Sequence, residues 1–91
     1  MGMMAIEELT KAMLKDFGEE IDDANKYCDM AKAAEELGWD RTAEGFYEMA
    51  RDEYTHAAFL EDVMEKYHVP IPEEHHKKFH ELEERMEETF Q

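Results

Sequence analysis

The chain has 91 residues, with 10 basic against 25 acidic side chains and a formal net charge of −15. That balance repels nucleic acid and anionic membrane surfaces, which bind through basic patches, and it suits cations. A chain this short makes one domain that buries only about 60% of its unfolded surface, and its single cysteine, Cys28, excludes an internal disulfide, a four-cysteine metal site and rubredoxin-type electron transfer.

Glycine and proline are scarce, and Glu, Ala, Met, Leu and Lys are all strong helix formers, so the expected class is all-α. A first helix can be followed from about Met4 to Leu37, with Ile6, Leu9, Met13, Phe17, Ile21, Ala24, Tyr27, Cys28, Ala31 and Ala34 spaced mostly three or four apart. Gly18 is its weak point, a place where a kink or a helix start could fall, and Cys28 reads as a small core residue. Gly38 supplies a stop, and Asp40 is a plausible N-cap for a second helix over roughly 41–67. That helix carries a stripe of Phe46, Met49, Ala50, Ala57, Leu60, Val63, Met64 and Tyr67. "HVPIP" breaks the chain, with Pro70 ending one helix and Pro72 suiting the first turn of the next. The third helix, about 72–90, has a thinner stripe of Phe79, Leu82, Met86 and Phe90 and a solvated outer face.

A short loop between the two long helices implies an antiparallel hairpin. Two amphipathic helices cannot enclose a core, and a short charged third helix covers only part of the open face. Self-association follows: two hairpins packed face to face complete a four-helix bundle.

Polar residues interrupt the stripes. The string Glu-x-x-His occurs three times, as Glu53/His56, Glu65/His68 and Glu73/His76, so the string alone says little. Glu53 follows Ala50 by three and precedes Ala57 by four, while His56 precedes Leu60 by four, which points both into the stripe, one turn apart. Glu65/His68 falls at the frayed helix end before Pro70, and Glu73 is more simply a dipole partner at a helix start. On the first helix, Glu20 comes three after Phe17, four before Ala24 and seven before Tyr27, so it faces inward as well. Three ligands per hairpin, doubled by a two-fold axis, give four carboxylates and two imidazoles. That set matches two divalent ions, iron or manganese before zinc. The bland alternatives are an edge glutamate with its head in water and a satisfied core histidine. His76 and His80, four apart on the third helix, could share a surface ion, although solvated positions explain them better, and His75, near the Phe79 stripe, is expected simply to pack.

"EEIDDANKY", residues 19–27, followed by "RDEYTHAAFL", residues 51–60, resembles the ferritin-like carboxylate-bridged di-iron family. Members such as rubrerythrins and ferritins carry two such halves in one chain. This chain carries one half plus a short third helix and looks most like an encapsulated ferritin, a half-ferritin that dimerises to build its di-iron centre. The resemblance implies Glu20, Glu53 and His56 as metal ligands at two Fe ions per dimer, with Mn or Zn as alternatives, and Glu53 bridging both ions. It implies Tyr27 hydrogen-bonded beside the site. Glu19 and Asp22 would form an acidic approach for incoming iron or simply a solvated face. Family dimers assemble into rings, often decamers, with the third helix helping.

The activity implied is a ferroxidase that oxidises Fe2+ to Fe3+ and feeds iron storage or detoxification. Its rivals are a rubrerythrin-like peroxide reductase and a non-catalytic acidic helical metal-binding or assembly module. An encapsulin shell is the implied partner, yet the chain ends "MEETFQ" without an evident targeting tail, so it either works outside a shell or has lost such a tail. The loop "GWDR" and the spacing from Glu20 to Glu53 also depart somewhat from the family pattern. No run approaches the ~20 apolar residues of a membrane span, no signal peptide is apparent, and "MGMMAI" fails the myristoylation pattern. The expected location is cytoplasmic, or inside an encapsulin nanocompartment.

Overall fold

A glycine sets the hairpin. Gly38 stands at φ 77°, and the amides of Trp39 and Gly38 donate to the carbonyls of Ala34 at 2.9 Å and Glu35 at 3.0 Å. This is a Schellman closure of the first helix, the left-handed turn a Cβ would strain. The computed structural model describes residues 5–90, so the helix start expected at Met4 and the last residue of the "MEETFQ" end lie outside the described residues.

Three helices result: α1 (Ile6–Glu36), α2 (Asp40–Lys66) and α3 (Glu73–Thr89). α1 runs unbroken through Gly18, so no helix starts there. The reason for glycine there is the neighbour: a Cβ at Gly18 would stand 3.3 Å from Nε2 of His75 on α3. Asp40 is not the N-cap but the first helical residue, with Trp39 in the cap position and no side-chain capping bond. Its carboxylate instead meets the positive end of the α2 dipole. The end of α2 is closed rather than frayed. His68 adopts φ 56° and repeats the Schellman pattern, with the Val69 amide on the Met64 carbonyl at 2.8 Å and the His68 amide on the Glu65 carbonyl at 3.2 Å. Pro72 caps α3, its carbonyl accepting from the amides of His75 and His76.

α1 and α2 lie antiparallel along a seam of small residues. Ala24, Ala31 and Ala34 on α1 and Ala43, Ala50 and Ala57 on α2 are buried, and alanine lets two helix backbones approach closely. The bulk of the core sits where α3 crosses one flank of the hairpin. Phe79 packs against Phe17 at 5.5 Å between ring centroids and stacks on Tyr54 at 5.8 Å and 13°. Leu82 and Met86 complete it, and the Cys28 thiol lies buried 3.9 Å from the Met86 sulfur. Arg85 clips the same flank, its guanidinium donating to Asn25 Oδ1 at 2.9 Å and Asp29 Oδ1 at 2.6 Å.

Among the described residues nothing covers the opposite flank. Ile6, Leu9, Met49 and Tyr67, which the stripe pattern places on a buried face, are exposed there, as is Phe59. Along α2, Met49, Glu53, His56, Leu60, Val63 and Tyr67 alternate steps of four and three, the spacing of a helix seam that expects a partner.

Candidate metal centre

Near the middle of that uncovered flank, Glu20 of α1 meets Glu53 and His56 of α2. One ligand atom from each lies within 4.8 Å of the other two, and no other trio of His, Cys, Asp or Glu among the described residues gathers this way. The hairpin register does this: Glu20 lies 14 residues after Ile6, the start of α1, and Glu53 lies 14 residues before Tyr67, the C-cap of α2. His56 Nδ1 stands 3.5 Å from Glu20 Oε2 and 3.6 Å from Glu53 Oε1.

The three differ in depth. The Glu20 side chain is 15% exposed and that of Glu53 22%, but the His56 side chain is 58% exposed. His56 therefore does not point into the single chain's interior as its spacing suggests. It stands at the edge of the stripe, on the flank that α3 leaves bare.

Burial has a cost at Glu20. Its Oε2 is buried with no hydrogen-bond partner, which costs about 1–3 kcal/mol for an ordinary polar group and more for a charged one. Its carboxyl pKa is pushed up to about 7, first by burial, then by a hydrogen bond shared with Glu53 and by that neighbour's charge. His56 pulls the other way, and Asp16, one turn earlier on α1, pushes further up. A divalent cation between the three would supply the missing partner and satisfy two carboxylates and an imidazole at once. The donor set of hard oxygen and borderline nitrogen fits iron, manganese or zinc.

Of the other residues singled out by sequence, Glu19 is exposed and pairs with Lys15 at 3.8 Å, and Asp22 is exposed on the same side of α1. Tyr27 is half-buried with Lys26 over its ring at 5.2 Å. Two turns from Glu20, it makes no hydrogen bond to the trio among the described residues. A cleft of about 540 Å³ beside the trio is lined by Asp16, Glu20, Thr55, His56, Phe59 and Leu60. Asp16, Thr55 and Phe59 escaped the sequence reading, though Asp16 at four residues before Glu20 was within reach of helical spacing. The histidines of α3 go elsewhere: His75 packs on Gly18, His76 Nδ1 faces Glu61 at 3.7 Å, and His80 stands 3.5 Å from both Glu83 and Glu84.

A three-helix chain with a Glu, Glu-x-x-His trio at mid-hairpin defines the ferritin-like class of carboxylate–histidine metal proteins. Comparison with family models sharpens this: the rubrerythrin model matches residues 11–91, and the chain belongs to that family of ferritin-like, di-iron proteins. Neither the curated proteins nor the solved structures return a significant match. No helix among the described residues is long and apolar enough to cross a membrane.

Proposed function

We propose that two copies of the chain pair across the uncovered flank about a two-fold axis, and that their Glu20, Glu53 and His56 together form a di-iron centre with ferroxidase activity. The observation that carries this reading is the trio itself. It holds a buried carboxylate oxygen without a partner and opens onto a face that one chain leaves bare. A single copy supplies three ligands, one of them largely exposed; a second copy would bring four carboxylates and two imidazoles into one enclosed site. Four negative charges would then balance two Fe2+ ions.

Iron supplies the one-electron chemistry here. Each of two Fe2+ ions gives up one electron, and dioxygen takes the pair with two protons and leaves as hydrogen peroxide. The chain's own part is placement. Glu20, whose carboxyl burial holds protonated, would give up its proton on loading, and Glu20, Glu53 and His56 of both copies would hold the iron. Tyr27 of each copy would hydrogen-bond at the edge of the paired site. A bundle this small cannot hold a mineral, so oxidised iron passes to an acceptor, an encapsulin shell being the kind the resemblance suggests. The resemblance implies that pairs close into rings, a decamer among them.

Family membership favours one second reading, peroxide reduction with electrons from a separate donor. Aerobic addition of Fe2+, followed by absorbance of the Fe3+ formed, tests both. Oxidation above the buffer rate that Glu53→Ala abolishes supports a ferroxidase. A clear preference for peroxide over dioxygen, sustained by an added reductant, supports the reductase. Oxidation at the buffer rate with either oxidant sinks both readings and leaves a metal-binding or assembly module.

A further inference from the structure

Two apolar features at opposite ends of the molecule stand uncovered among the described residues. At the hairpin corner, Leu37 and Trp39 are 62% and 58% exposed, on either side of the fixed Gly38 turn. At the far end lies a groove of about 550 Å³ whose walls include Ile6, Leu9, Met13, Val63, Tyr67 and Val69. No carboxylate lines it, on a chain where 25 of 91 residues are acidic. The chain's own corner cannot fill it, because the 28 residues of helix from Leu9 to Leu37 span about 42 Å.

A second copy can. Trp39 precedes Glu53 by 14 residues and Tyr67 follows it by 14, while Ile6 precedes Glu20 by 14. At 1.5 Å per helical residue each offset is about 21 Å from the level of the trio. A two-fold axis through the trio and across the helices therefore carries the corner of one copy to the level of Ile6 and Tyr67 of the other. We infer that in this pair Leu37 and Trp39 of each copy seat in the terminal groove of its mate, clamping the two ends of the bundle while the metal ligands meet at its centre. The inference rests on the two-fold pairing proposed above and adds to it a specific contact. It sets how far the helices may slide past one another, and so whether the ligands align.

Trp39 is the only tryptophan in the chain, so its emission reports on the corner alone. The experiment uses the full chain with Zn2+, a redox-inert ion, with native mass to establish assembly and acrylamide to probe access to the indole. On conversion of monomer to Zn2+-loaded pair, Trp39 emission shifts to shorter wavelength and acrylamide quenching falls several-fold. Leu9→Ala, and more strongly Leu9→Asp, restore quenching in the assembled protein. Leu9 is about 42 Å from the corner of its own chain, so that effect can travel only through a second copy. Leu9 is 42% exposed, and circular dichroism verifies that the variants keep their helices. An assembled pair whose Trp39 stays as accessible as in the monomer, or is indifferent to Leu9→Ala, overturns the corner contact and leaves the pairing standing. Absence of a Zn2+-driven pair at any concentration overturns both.

Discussion

Glu20 holds a proton that an ordinary glutamate would have lost, and the consequence is a pH dependence with a definite sign. Its carboxyl titrates at about 7 in the folded chain against an ordinary value of 4.5. Between those values the folded state keeps a proton that the unfolded state has released, so stability from this group falls as pH rises and is lowest above about 7. Glu20→Gln keeps the shape and removes the titration. In metal-free protein, the variant therefore gains on wild type across this window, measured as unfolding free energy in urea at a series of pH values. Parallel curves would refute this account of the site. A divalent ion reverses the comparison above pH 7, because only the wild type has a carboxylate to offer it. The other residue under strain is His68, the only non-glycine among the described residues at positive φ. A left-handed residue with a Cβ costs about 1–2 kcal/mol, so His68→Gly is expected to raise stability by about 1 kcal/mol in the same urea series. Its place in a Glu-x-x-His string is incidental: the backbone needs the turn, and the sequence happens to fill it with histidine.

α3 is held to the hairpin chiefly by Phe79 between the Phe17 and Tyr54 rings, by Leu82 and Met86, by Phe90 against Tyr47 and the Arg51 guanidinium, and by Arg85. Phe79 is 4% exposed and sits between Phe17 and Tyr54, so Phe79→Ala should cost about 3–5 kcal/mol and release α3 first. Arg85 makes better hydrogen bonds than most, but its partner Asp29 is largely exposed, and Arg85→Met should cost only about 1 kcal/mol. Urea unfolding of the two variants checks the order, and a larger loss at Arg85 would contradict it. Much at this scale was legible in the sequence, because period and punctuation fix helices: Gly38 and the Pro70–Pro72 break mark the ends, and the apolar steps of three and four mark the faces. Gly18 was misread because a glycine inside a helix looks like a fault until the neighbour that needs the space, His75, is known. Asp40 was misplaced by one residue because Trp39 takes the cap position without a capping side chain. Which flank of the hairpin α3 covers was not legible at all, since both flanks of α1 carry apolar residues and the choice is made by tertiary contact.

For the whole molecule the deciding quantity is what covers the second flank. The trio was legible as a composition of residues, because three polar side chains at stripe positions cost too much without a purpose. Its geometry was not, because spacing along α2 cannot say that His56 stands at the stripe's edge, 58% exposed, on the flank α3 leaves bare. Met49 offers the sharpest test, since it lies on the same row as His56 and Val63 and is 42% exposed in the single chain. As a surface change on a monomer, Met49→Glu should alter stability by no more than about 0.5 kcal/mol. In a two-fold pair the same change buries a carboxylate twice, once from each copy, beside a centre that already gathers four. Burial of a polar group without a partner costs about 2–7 kcal/mol, and a charge costs more, while every 1.4 kcal/mol is a factor of about ten in the association constant. Pairing should therefore weaken by about a thousandfold or more, read by native mass or sedimentation across a dilution series, with helix content unchanged by circular dichroism. Raising the divalent ion concentration should recover part of the pairing, since an ion that binds the pair more tightly than the separated chains pulls the equilibrium by mass action. A variant that pairs as well as wild type would mean that this flank faces something other than a second copy, and that the trio works as an open three-ligand site.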